Sequence, residues 1–158
     1  MSWPLIALAG LVVALPAQAA QHRDAGTLTI RLISVTSAET KVITDLPPKS
    51  KVSKGDLWVH EATLRNAVPQ FGRARGAIVG RDTTIFTFRS PTVGDVIVES
   101  NVPRGSLRAA GRTRLGYRLS YSVTGGEGKF TKARGTGESV ALGQQGHRRL
   151  IVYRLVLP

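Results

Sequence analysis

The chain has 158 residues, with 22 lysines and arginines against 10 aspartates and glutamates, and no cysteine. A formal net charge of +12 favours anionic surroundings such as nucleic acid, acidic lipid or acidic polysaccharide. The absence of cysteine excludes disulfides, thiol nucleophiles, thiolate metal sites and thiol redox chemistry.

Residues 1–20 carry no charged side chain; an apolar run from Leu5 to Leu15 ends at Pro16, and Ala17-Gln18-Ala19 follows with a small-x-small pattern. This reads as a secretory signal peptide cut after Ala19 or Ala20. It predicts an exported protein, secreted or periplasmic, whose mature chain begins near Gln21. A membrane-spanning helix needs about 20 apolar residues, and Gln18, Gln21 and His22 interrupt this run too early. No transmembrane segment is expected after cleavage, and residues 21–158 read as one domain.

Thr27 to Thr36 is a strand by its β-branched content, with Leu28, Ile30 and Leu32 on one face. Ser37 to Lys54 reads as a long connection, in which Pro47 and Pro48 cannot continue a ladder and mark a loop over one end of a barrel. Asp56 to Asn66 is the second strand. Its alternation separates Leu57, Val59, Glu61 and Thr63 from Trp58, His60, Ala62 and Leu64. Both sets mix apolar and polar members, so either face serves as the inner one. His60 and Glu61 are adjacent, and whichever points into an apolar interior is a candidate acid or base, because desolvation raises a carboxyl pKa.

Val68 to Gly72 reads as a turn, Arg73 to Gly80 as the third strand, Arg81-Asp82 as a break, and Thr83 to Phe88 as the next strand. Ser90-Pro91 and Gly94-Asp95 close it as a hairpin loop. Val96 to Val102 sets Ile97, Glu99 and Asn101 on one face, which makes Glu99 the second candidate carboxylate. Leu107 to Arg114 and Tyr117 to Thr124 are two more strands about Gly116. No acid interrupts the arginines between Glu99 and Glu127, and that stretch reads as a solvated face. Nucleic-acid modules interleave aromatics with such basic residues on an exposed sheet. Here Tyr117 and Tyr121 fall with Leu115, Leu119 and Val123, opposite Arg112, Arg114 and Arg118. They read as barrel filling and as candidate hydroxyl donors to a ligand, and no specific nucleic-acid partner is expected.

Gly125 to Gly137 holds five glycines in thirteen residues, with Phe130 and Ala133 among them. Glycine is selected where φ is positive or where backbones approach closely, so the block predicts a tight corner with Phe130 as the plug beneath it. It lacks the Lys-Ser/Thr ending and the strand-to-helix setting of a phosphate loop. Arg134 to Leu142 and His147 to Leu157 complete the chain as strands. About eight strands without helical periodicity predict an all-β, antiparallel, eight-stranded barrel. An outer-membrane barrel needs aromatic girdles; two Trp, three Tyr and four Phe, with arginines in most strands, argue against one. The three histidines, His22, His60 and His147, suggest neither a catalytic triad nor a metal site.

The pattern Gly-Gly-x-Gly-x-aromatic-x-x-Ala-x-Gly from Gly125 to Gly135 resembles the signature segment of the dirigent proteins and the allene oxide cyclase-like barrels. Gly55-Asp56 and Gly105-Ser106-Leu107 with Gly111 fit the same pattern, and Glu127 departs from the small residue usual at its position. The resemblance spans roughly Thr27 to Leu157. It implies a cofactor-free barrel that binds a small, partly apolar molecule in its cavity and steers its cyclisation or coupling, as an isomerase or cyclase would. Glu61, Glu99 and His60 are then the candidate acid/base groups and Tyr117 and Tyr121 the candidate ligand-binding hydroxyls. Relatives with this barrel are often dimers or trimers, which extends that expectation to this chain. The competing reading is a non-enzymatic basic protein of the cell envelope that associates with anionic polymers.

Overall fold

The computed structural model describes residues 26–36, 41–49, 51–143 and 147–158; the signal peptide expected at residues 1–20 lies outside them. Among the described residues nine strands form: β1 (Gly26–Thr36), β2 (Lys41–Thr44), β3 (Leu57–Asn66), β4 (Ile78–Ser90), β5 (Val93–Val102), β6 (Gly105–Arg114), β7 (Arg118–Gly126), β8 (Arg134–Ala141) and β9 (Arg148–Leu157). All pairings are antiparallel, in the order β1-β9-β8-β7-β6-β5-β4-β3. The sheet closes where β3 returns to β1, from Leu32 opposite Asn66 to Thr36 opposite Ala62. Eight strands therefore make a closed barrel. The ninth, β2, lies against the start of β3, with Val42 opposite Trp58.

Alternation dictates what fills the barrel. Ile30 and Leu32 of β1, Leu64 of β3, Phe86 and Phe88 of β4, Val96 and Val98 of β5, Tyr121 and Val123 of β7, and Ile151, Tyr153 and Leu155 of β9 are buried. Residues between them face outward, since successive side chains of a strand leave opposite faces. The wall on that outer side is held by ion pairs. Arg112 Nε donates to Asp95 at 3.0 Å, Arg108 reaches Glu127 at 3.1 Å and Glu99 at 3.7 Å, and Arg118 meets Glu138 at 2.9 Å.

The glycine corner closes one end of the barrel. Residues Gly128–Phe130 form a single 3-10 turn between β7 and β8, and Phe130 is buried beneath it. Gly128 adopts φ +61°, and a Cβ there would stand 2.3 Å from the Arg104 carbonyl oxygen. Phe71, in the loop before β4, and Leu157 pack against the same cluster. Asn66 Nδ2 ties that loop down by donating to the carbonyls of Gln70 and Arg73 at 2.8 and 3.0 Å.

Three local expectations are corrected. Arg81-Asp82 does not break a strand: β4 runs from Ile78 to Ser90, with Asp82 opposite both Ala62 and Ser100. Both neighbouring strands supply backbone partners there, Arg81 turns to solvent, and the inward Asp82 carboxylate finds hydroxyls. Arg73 to Ala77 is loop, so the strand starts later than its apolar content suggests. The connection after β1 holds β2 and is anchored by buried Asp56, whose carboxylate accepts from the Leu46 and Ser53 amides at 2.8 and 2.7 Å.

Candidate functional site

The barrel is not packed solid. A cavity of about 210 Å3 occupies the half remote from the glycine corner, lined on its apolar side by Trp58, Phe86, Val98, Leu115, Leu119 and Ile151. Its polar groups are Ser34, His60, Asp82, Thr84, Tyr121, Ser139 and Arg149. Asp82, Val98, Tyr121 and Ile151 are buried and form its floor; Leu115, 40% exposed, and part-exposed Trp58 and His60 form its outer part. Trp58 meets Phe88 edge-on with ring centroids 4.7 Å apart, and Phe88 lies 4.6 Å from Phe86. That cluster fixes one wall, because interlocked aromatic rings leave few rotamers free.

The polar floor is a chain of hydroxyls ending on a carboxylate. Ser100 Oγ donates to Asp82 Oδ1 at 2.6 Å and lies 2.7 Å from the Tyr153 hydroxyl; Thr84 Oγ1 donates to Asp82 Oδ2 at 3.3 Å. A hydroxyl carries one proton. Ser100 gives its own to Asp82, so Tyr153 donates to Ser100; the Tyr121 ring lies beside Tyr153, with ring centroids 6.1 Å apart. Burial pushes Asp82 up from 3.8 to about 6, against the opposing hydrogen bonds from Ser100 and Thr84. Burial likewise raises both tyrosines above their ordinary range. Gly137 makes the arrangement fit, since a Cβ there would stand 2.0 Å from the Tyr121 ring.

The outer part holds an imidazole and a cation, Arg149. His60 Nε2 lies 2.9 Å from Thr36 Oγ1, and its pKa is lowered by burial first and then by the nearby Arg149 and His147 charges. Arg149 is half-buried; its Nε donates to Ser139 Oγ at 2.7 Å and its Nη2 to the carbonyls of Ser139 and Tyr117 at 3.0 and 3.1 Å.

Of the residues singled out in the sequence, His60 and Tyr121 line the cavity. Glu61 and Glu99 do not. Glu61 is exposed on the outer face of β3, and Glu99 stands on the outer wall near Arg108. Tyr117, expected as barrel filling, is 66% exposed. It belongs to the turn before β7, so the alternation of that strand does not reach it. Asp82 and Arg149 were missed. Asp82 shares its parity with Phe86 and Phe88, and that signal was present in the sequence but masked by reading the charged Arg81-Asp82 pair as a break.

No family model matches the chain, and no curated protein matches its sequence. Solved structures do match in shape. A pyocyanin demethylase superposes with TM-score 0.65 at 15% identity, over 82% of this chain and 100% of that one. A pterocarpan synthase dirigent protein gives TM-score 0.58 at 13% identity, over 85% of this chain and 95% of that one. A Diels-Alderase from Streptomyces koyangensis gives 0.64 at 13% identity, over 84% of this chain and 64% of that one. The chain thus carries the closed eight-stranded barrel fold of the dirigent proteins and the barrel cyclases, the fold its glycine corner resembles.

Proposed function

We propose that this barrel, in an exported protein, binds a small, ring-containing, partly apolar molecule and steers its cyclisation by proton transfer. The observation that carries the reading is Asp82, a buried carboxylic acid near neutral pKa on the floor of an apolar-walled cavity. A volume of about 210 Å3 exceeds the about 150 Å3 that admits benzene and falls short of the about 300 Å3 at which drug-sized clefts begin. One or two rings fill such a space. The walls fold the substrate and exclude water, which holds reacting atoms close and strengthens each hydrogen bond inside.

An isomerising cyclisation conserves atoms and electrons. Asp82 gives a proton to one position of the substrate and recovers one from another, with the Thr84 hydroxyl hydrogen-bonded to it and the Tyr121 hydroxyl also in the cavity lining. A pKa of about 6 suits both directions, because acid–base efficiency peaks when the catalytic pKa lies near the working pH. Fold likeness to cyclases supports the reading without dictating it. Association with anionic polymers is the competing reading, favoured by the net charge of +12, although Arg89, Arg108, Arg112 and Arg118 are engaged by carboxylates of the outer wall.

Calorimetric titration with 2-naphthol tests the cavity. Saturable one-to-one binding is expected, and it is expected to vanish in Val98→Phe, which fills the space while leaving unfolding cooperative. Binding that survives this substitution places the probe elsewhere and removes the reading.

A further inference from the structure

Arg149 carries a second, independent observation. Its hydrogen-bond partners are all neutral: the Ser139 hydroxyl and the carbonyls of Ser139, Tyr117 and, at 3.5 Å, Gly116. No carboxylate lies within ion-pair distance of it among the described residues. The carboxylates Asp95, Glu99, Glu127 and Glu138 pair with arginines on the outside of the barrel. Arg149 is thus a part-buried cation that lines the cavity without a counter-ion among the described residues, and burial draws it below its ordinary pKa. Removing a charge from water is costly unless an opposite charge meets it.

The cavity is also polarised along its length. The guanidinium and the His60 imidazole stand toward the outer part, with the Ser34 and Ser139 hydroxyls also in the lining, while Asp82, the one carboxylate of the lining among the described residues, is on the floor. A ligand with an oxyanion is oriented by this field. Its anionic group meets Arg149, and its apolar body lies against Trp58, Phe86 and Ile151 toward Asp82.

We infer that the ligand of this cavity is a small ring-bearing organic acid, bound as its anion with the oxyanion on Arg149. The inference rests on the cavity reading above and adds the substrate class to it. Arg149 acts here as a binding and orienting residue, and proton transfer stays with Asp82.

Paired calorimetric titrations with 2-naphthoate and its neutral isostere 2-naphthamide test it. The naphthoate is expected to bind at least about tenfold more tightly, the least that a charge-assisted hydrogen bond contributes. Arg149→Gln is expected to abolish that preference while holding the amide within about twofold, and Arg149→Lys to restore part of it. Because Arg149 also braces the Tyr117 carbonyl, the wild-type comparison stands as a test without the variants. Equal binding of acid and amide overturns the anion site and leaves the cavity reading intact; failure of both probes overturns both. A naphthoate affinity that collapses with added salt and ignores Val98→Phe assigns the acid to the basic outer surface, and also overturns the inference.

Discussion

The Ser100 hydroxyl donates a 2.6 Å hydrogen bond to the Asp82 carboxylate in the centre of the barrel, across the pairing of β4 with β5. The same oxygen accepts from Tyr153, so one small side chain organises the polar floor.

Ser100→Ala removes a donor that holds the Asp82 pKa down and strips the Tyr153 hydroxyl of its acceptor. Asp82 is expected to titrate higher still. A loss of about 1–3 kcal/mol is expected at about pH 8, where the carboxylate is charged, and a smaller one at about pH 5. Urea denaturation at the two pH values measures both; a loss that does not depend on pH contradicts the arrangement.

Asp82 titrates at about 6 when folded and at 3.8 otherwise. The folded state therefore binds more protons between these values, and its contribution to stability declines as pH rises from about 4 to about 6 and then stays constant. Asp82→Asn removes a penalty of about 3 kcal/mol at most, so the variant is expected to be more stable than the parent at about pH 8 and equal to it at about pH 4. His60, lowered on folding, acts with the opposite sign, costing stability as pH falls below its unfolded value. Comparing the two chains at each pH cancels that contribution.

Gly137→Ala drives a methyl group into the Tyr121 ring, 2.0 Å away. Overpacking of this kind costs about 1–3 kcal/mol. The ring has to leave its place beside Tyr153, so the substitution is expected to weaken 2-naphthol binding as well as stability. Calorimetry and thermal unfolding of the same preparation separate the two effects.

Glu61→Gln and Glu99→Gln change charges on the outer face of the barrel. Both are expected to leave 2-naphthol affinity within about twofold and to move stability by less than about 1 kcal/mol, as exposed charges do. A large loss of binding in either variant contradicts the orientation of β3 or β5.

The architecture was legible because its signals are local. Two-residue alternation in Thr27–Thr36 and Val96–Val102 marks half-buried strands, and the glycine block from Gly125 to Gly137 marks a corner that other residues cannot form. Tyr121 is legible for the same reason, since it alternates in step with Leu119 and Val123 on its strand, whereas His60 is legible only as one of two alternatives, itself or Glu61. The sequence by itself determined an all-β barrel, the plug at Phe130 and the inward parity of Tyr121.

Only the tertiary structure decided which face of β3 looks inward, because Trp58-His60-Ala62 and Leu57-Val59-Glu61 are equally mixed and register with β1 and β4 selects between them. It also decided that Asp82 lies inside. A charged residue reads as a break along the chain, and becomes a core residue only when Thr84 of its own strand and Ser100 of β5 satisfy its oxygens and Tyr153 of β9 satisfies Ser100. Arg149 was hidden for the converse reason. An arginine beside a turn reads as solvent-facing until barrel closure sets it against neutral carbonyls and an apolar-walled cavity.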